Sequence, residues 1–259
     1  MENIIFYFSG TGNCLAAAKT IAKEPGNTGI VSMGRPGKYT LSKQYDSIGF
    51  IYPVYFWGLP KRVIDFTEKL DFGSNRNTYC YSIASNGGDP GNTLNQLGEI
   101  LYKNHRVKLN YGAELKMFSN YVVMYDMRKN VEEITLASNE KLIPVIKAIK
   151  NKTGNSITKW KKPLVIVNKL FLKAAPGMDK NYNVSDACTA CGVCKAVCPV
   201  KNIEISDNKP RFKHNCEQCV ACIQYCPAKA INYKNATQKR GRYNHPDIGY
   251  RDLAEYNEW

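Results

Sequence analysis

The chain has 259 residues, 44% of them apolar and 22% charged, an ordinary globular composition that argues against disorder. Its 36 Lys and Arg outnumber 22 Asp and Glu for a formal charge of +14, which predicts attraction to acidic proteins, anionic membrane surfaces or nucleic acid. No basic n-region precedes the first apolar run, and the strongly apolar uncharged stretch 48–60 has 13 residues and two prolines against about 20 for a spanning helix. A cytoplasmic protein without a transmembrane segment is therefore expected.

Residues 4–8 form a β-branched and aromatic run that predicts a strand, and helix-forming residues follow at 15–22. Between them lies Ser9-Gly10-Thr11-Gly12-Asn13-Cys14, where backbone N–H groups and the positive end of a helix can hold a phosphate. The hydroxyls of Ser9 and Thr11 and the amide of Asn13 would complete the cradle without a lysine. No Gly-x4-Gly-Lys-Ser/Thr pattern is present, which argues against a nucleotide triphosphatase. Leu15 follows Cys14, so the loop does not read G-x-G-x-x-G and a dinucleotide site is disfavoured. Taken alone, it is equally a plain tight turn.

Further strands are predicted at 29–32, 47–52, 78–84 and 107–111, with helices at 60–70 and 93–102 and a longer one at 131–150, interrupted or kinked at Pro144. Alternation of this kind predicts an α/β domain built on a doubly wound parallel sheet. Two more loops follow strands. Tyr52-Pro53-Val54-Tyr55-Phe56-Trp57-Gly58 offers aromatic faces for stacking on a planar ring, although it also reads as a buried strand end. Ser85-Asn86-Gly87-Gly88-Asp89-Pro90-Gly91 offers backbone amides to a polar ring edge. Three loops, each after a strand, satisfy the switch-point rule for one ligand.

Residues 151–162 are polar and rich in Lys and Gly, so the first domain is taken as 1–160 and a basic linker as 161–182. Nine lysines face only Asp179 between 147 and 180, either a solvated surface or an anion-attracting one. Residues 165–174 have short amphipathic spacing. Eight of the ten cysteines then fall in a second domain at 183–234, in two halves that repeat every 28 residues. The first half holds Cys188, Cys191, Cys194 and Cys198; the second holds Cys216, Cys219, Cys222 and Cys226. Each reads C-x2-C-x2-C-x3-C-P, closed by Pro199 and Pro227. A disulfide framework would need an oxidising compartment, which the lack of a signal-peptide pattern argues against, and zinc favours separated C-x2-C pairs around one ion, which this spacing fits poorly. Residues 235–259 form a tail that begins basic and ends acidic, with no role readable from its pattern.

The cysteine runs resemble those of bacterial ferredoxins with two [4Fe-4S] clusters, in which the fourth cysteine of each run ligates the other cluster. The resemblance implies one cluster on Cys188, Cys191, Cys194 and Cys226, and another on Cys216, Cys219, Cys222 and Cys198, in a small α+β ferredoxin-like domain. Residues 4–14 resemble the phosphate loop of flavodoxins, which hold FMN at the carboxyl ends of their strands, with Cys14 where those loops carry Thr or Ser. That likeness assigns the flavin ring to the loops holding Pro53 to Gly58 and Ser85 to Gly88, and gives Gly58 the flexible peptide facing the flavin N5. Flavodoxins follow that glycine with acidic residues, whereas this chain has Leu59, Pro60 and Lys61, which predicts a less negative flavin potential. Nearly the whole chain, including Arg242-Tyr243-Asn244-His245-Pro246-Asp247-Ile248, resembles flavodoxin-ferredoxin fusion proteins of anaerobic microbes. With FMN and two clusters bound, the charge falls to about +8.

The resemblance implies an electron carrier that relays electrons between FMN, the clusters and a redox partner protein with an acidic docking surface. No residue need act as acid or base. One alternative is an FMN-dependent reductase of a small acceptor, a quinone or nitro compound, held against Tyr55, Phe56 or Trp57; a redox sensor or nucleic-acid-binding module is another, and nucleic acid is not the favoured partner. Cys80 is expected to be a small buried hydrophobe, and His105, His214 and His245 to serve in hydrogen bonds or at the surface.

Overall fold

A computed structural model describes residues 2–24, 27–127, 130–157 and 162–257. In chain order it opens with β1 (Glu2–Tyr7), α1 (Asn13–Ala22), β2 (Asn27–Ser32), β3 (Ser47–Pro53) and α2 (Lys61–Lys69). It continues with β4 (Tyr79–Asn86), α3 (Thr93–His105), β5 (Tyr111–Lys116) and α4 (Val131–Lys150). The five strands are all parallel, in the order β2-β1-β3-β4-β5, which is the flavodoxin-like doubly wound arrangement.

The period-two alternation of strand side chains builds two cores. Ile5 and Tyr7 enter one with Leu15 and Ile21 of α1 and Leu142 and Val145 of α4. Ile4, Phe6 and Phe8 enter the other with Val63 and Phe66 of α2 and Leu97 and Leu101 of α3. Cys80 lies in this second core, fully buried as expected.

The strand predicted at 107–111 is displaced. Val107 and Leu109 are buried under the second core, but they belong to a connection that starts at Arg106, whose φ of 59° ends α3. Register with β4 begins when Asn110 donates its N–H to the Cys80 carbonyl, 2.8 Å away. β5 itself alternates, with Ala113 and Leu115 buried and Glu114 and Lys116 exposed, a weaker signal than the apolar pair before it. α4 runs unbroken through Pro144.

The domain boundary expected near 160 and 161 lies outside the described residues. Beyond it the basic segment is regular: α5 (Lys162–Ala174) is followed by a 3-10 helix at Ala175–Asn181. Next come β6 (Tyr182–Val184), α6 (Val193–Ala196), β7 (Ile203–Ser206), β8 (Lys209–Phe212), α7 (Ala221–Gln224) and β9 (Ile231–Tyr233). β6 pairs with β9 and β7 with β8, both antiparallel. The 28-residue repeat is carried by the backbone: left-handed Ala190, Gly192 and Lys201 recur as Gln218, Val220 and Lys229, all with φ between 48° and 77°. Equal sequence spacing has become equal loop geometry.

The tail ends in α8 (Tyr250–Tyr256). Its Ile248 and Leu253, with Val197, Ala221 and Tyr225 of the cysteine-rich part, join the core that contains Ile5 and Tyr7. Asn257 bridges all three regions, accepting from Ser32 Oγ at 3.2 Å and donating to the Val197 carbonyl at 3.4 Å.

Candidate functional site

A cavity of about 420 Å³ opens at the carboxyl ends of β1, β3 and β4, within the range of about 300–1,000 Å³ usual for cofactor sites. Ser9, Gly10, Thr11, Asn13 and Cys14 line it, as do Pro53, Val54, Tyr55, Phe56 and Trp57 from the second loop and Ser85, Asn86, Gly87 and Gly88 from the third. Gly12 and Gly58 stand behind the lining. Gly12, with φ of 98°, turns the chain into α1 and donates its N–H to Ser9 Oγ at 3.1 Å. α1 has no side-chain cap and no acidic residue in its first turn, so its leading amides and dipole are available to an anion. The Asn13 amide differs from expectation: Nδ2 donates to the Phe118 carbonyl at 3.2 Å, and Oδ1 accepts from Tyr243 OH at 2.7 Å. These bonds hold the loop in place, and Asn13 still lines the cavity. Burial pushes the Cys14 thiol up to about 12, leaving it an inert neutral group.

The aromatic loop is a two-residue reversal. Tyr55 N–H donates to Gly58 O at 2.9 Å and Gly58 N–H to Tyr55 O at 3.1 Å, with Phe56 at φ 47° and Trp57 at φ 62° between them. Positive φ at both central positions is the type I′ pattern, which favours Asn-Gly. Two aromatic residues there carry a strain of about 1–2 kcal/mol each, the kind of conformation that marks ligand sites. Asn168 of α5 fixes the loop by donating from Nδ2 to the Tyr55 carbonyl at 2.9 Å and accepting from Gln96 at 3.2 Å. Phe171, one turn on, stacks on Phe56 with ring centroids 4.2 Å apart.

Three groups of lining residues were not expected from the sequence. Phe118, Ser119, Asn120, Tyr121, Met124 and Tyr125 come from the segment after β5; a correctly placed fifth strand would have exposed them through the same switch-point rule. Phe171 comes from the basic segment, and Gln218, Cys219 and Val220 from the second cysteine run; no sequence signal joins these to the loops. An uncapped helix end, a strained aromatic turn and a glycine-containing strand end together fit the phosphate, ring face and polar edge of a flavin mononucleotide.

The cysteines surround two smaller cavities. Cys188, Cys191, Cys194 and Cys226 line one; Cys198, Cys216, Cys219 and Cys222 line the other. Each set takes three sulfurs from one run and the fourth from the other. Backbone N–H groups point at sulfur with the same period, from Asn202 to Cys198 Sγ at 3.2 Å and from Ala230 to Cys226 Sγ at 3.3 Å. Four sulfurs around each of two separate cavities fit the two-cluster ligand pattern of three cysteines from one run and the fourth from the other. Burial pushes the Cys216 thiol up to about 12 and Cys194 up to about 11; thiolates at such depth need the compensating charge of metal.

Cys219 belongs to two sites, lining both the larger cavity and the second sulfur cavity. Its neighbour Glu217 accepts from the Arg62 backbone N–H at 3.2 Å, and burial lifts its carboxyl to about 7 against the pull of that bond. The histidines make hydrogen bonds, as expected: His105 meets the Thr67 carbonyl, His214 meets Asp179, and His245 Nδ1 accepts from the Asp247 N–H.

The family model of a 4Fe-4S dicluster domain matches residues 180–227. No curated protein matches the chain. Among solved structures, Flavodoxin 1 from Bacillus cereus aligns at 18% identity over 56% of this chain and 98% of its own, with a TM-score of 0.37. A flavoprotein from Bacteroides uniformis aligns at 18% identity over 44% and 90%, TM-score 0.37. A flavone reductase aligns at 10% identity over 85% and 86%, TM-score 0.39. The strand order and the dicluster match make the chain a fusion of a flavodoxin-like domain with a 4Fe-4S domain, a combination suited to redox chemistry.

Proposed function

We propose that this flavodoxin-ferredoxin fusion is an electron carrier, with FMN in the larger cavity and one [4Fe-4S] cluster in each ring of four cysteines. The observation that carries the reading is the double role of Cys219, which lines the flavin-type cavity and the second sulfur cavity alike. Nothing thicker than one residue separates the two sites there. FMN would supply interconversion of electron pairs and single electrons, and the two clusters would each pass one electron.

The chain's own residues set the order. Ser9 and the leading amides of α1 bind the phosphate, while Phe56, Trp57 and the backbone of Ser85 to Gly88 orient the ring. Cys198, Cys216, Cys219 and Cys222 hold the inner cluster. Cys188, Cys191, Cys194 and Cys226 hold the outer one, and Cys191 is exposed. A one-electron carrier protein with an acidic docking surface therefore meets the outer set, and the chain's basic excess favours its approach. Covalent fusion replaces diffusional encounter by fixed proximity.

Trp57, Met124 and Tyr125 are exposed at the rim of the cavity, which supports a second reading, reduction of a small planar acceptor at that rim. Anaerobic purification with flavin and iron analysis tests the first: one FMN and about eight iron atoms per chain are expected. A flavin-free product or half that iron overturns it. Saturable turnover with one small acceptor would transfer the assignment to the reductase.

A further inference from the structure

Six of the ten large apolar side chains that stand exposed among the described residues belong to two neighbouring features. Trp57, Met124 and Tyr125 rim the cavity; Ile166, Val167 and Leu170 project from α5, Ile166 and Leu170 each 64% exposed. α5 is seated against the cavity by its opposite side, where Asn168 and Phe171 are buried. Spacings of three and four place Ile166, Val167 and Leu170 on one face, and Pro163 and Ala174, also exposed, extend the stripe toward both ends. Lys169 and Lys173 flank it, exposed and without an ion pair among the described residues. The helix contains no Asp or Glu; of the nine lysines at 147–180, Lys150 and Lys152 pair with Glu24 and Asp46, and Lys169 and Lys173 are the ones beside the stripe.

We propose that α5 seats the protein on an anionic lipid bilayer, its aliphatic stripe in the boundary between headgroups and acyl chains and its lysines on lipid phosphates. The stripe of Ile, Val and Leu stands exposed among the described residues, and contiguous apolar patches on a protein surface mark interaction sites. Lysines beside such a stripe keep their stems on apolar matter and lift their ammonium groups to the charged layer. A second copy meeting the same face through a two-fold axis would bring lysine against lysine with no carboxylate between them, which disfavours self-association. Nucleic acid would answer the lysines but leave the aliphatic groups in water, since strand binding uses aromatic platforms. Trp57 and Tyr125 at the adjoining rim are the residue types that favour the interfacial layer. No described helix is long and apolar enough to cross a membrane, so the attachment is peripheral. It does not depend on the direction of electron flow.

Co-sedimentation of the holoprotein with lipid vesicles tests the assignment. Vesicles of phosphatidylcholine with phosphatidylglycerol should retain the protein, phosphatidylcholine alone should retain little, and added salt should release it. Ile166→Glu with Leu170→Glu should lower partitioning by more than about tenfold, from the lost transfer of two aliphatic side chains. Lys169→Gln and Lys173→Gln should each lower it by about fivefold. All four positions are exposed, so the visible spectrum of bound cofactors should be unchanged and reports correct folding. Equal retention by both vesicle types, or substitutions without effect, overturns the proposal. A dimer in solution that Ile166→Glu with Leu170→Glu dissolves also overturns it and gives the stripe to a second copy.

Discussion

Gly10 of the phosphate loop lies directly against Cys219 of the second cysteine run: a β-carbon on the glycine would fall 2.9 Å from the Cys219 β-carbon and closer still to its carbonyl oxygen. The close approach needs glycine for space rather than for φ. It locks the flavodoxin-like sheet to the sulfur-bearing loop at Cys219, which lines both cavities.

Gly10→Ala should therefore push the loops apart. An overpacked contact of this kind costs about 1–3 kcal/mol, and flavin affinity should fall because the phosphate amides shift with Gly10. Thermal denaturation together with FMN fluorescence titration measures both. Unchanged affinity and stability would show that the loops can separate freely.

The strained aromatic turn separates stability from ligand binding. Phe56→Asn combined with Trp57→Gly supplies the residues that a type I′ turn favours and should raise stability by about 1–2 kcal/mol. The same change removes the ring faces from the cavity and breaks the 4.2 Å stack on Phe171, so FMN should bind more weakly. Denaturant midpoints and flavin stoichiometry, read on one sample, should move in opposite directions.

Acid should weaken the fold through His245. Its side chain is 2% exposed and Nε2 has no partner among the described residues; burial holds its pKa below the ordinary value, with Asp247 pulling the other way. The unfolded chain takes up a proton near about pH 6.5, the folded chain only at lower pH. Stability is thus fully present above that value and declines as pH falls through it. Denaturant unfolding from about pH 8 to pH 5 should show this slope, and His245→Asn, which keeps an acceptor for the Asp247 N–H, should flatten it.

The proposed crossed ligation makes a prediction that sequence order contradicts. Cys198→Ser should disturb the cluster nearest the flavin, although Cys198 belongs to the first run, and Cys226→Ser should disturb the outer one. Electron paramagnetic resonance of the reduced protein, watched for coupling to the flavin, distinguishes them. Each variant should keep one intact cluster; loss of both in either would tie the two sites into one folding unit.

The cysteine runs, the phosphate loop and the βα alternation were legible because each is local: ligand spacing, a strand-turn-helix and an apolar period are written within a few tens of residues. The 28-residue duplication reappears in the structure as matching left-handed positions at Ala190 and Gln218. What tertiary structure alone decided is how distant pieces close the site. Asn168 and Phe171 reach the aromatic loop from a stretch that reads as a lysine-rich linker, and Cys219 reaches Gly10 from more than two hundred positions away. The tail, mute as a pattern, donates its His245 N–H to the Thr11 carbonyl at 2.8 Å and its Tyr243 hydroxyl to Asn13. Such contacts arise when exposed apolar faces of two domains bury one another, and burial has no period or spacing by which a sequence could announce its partner.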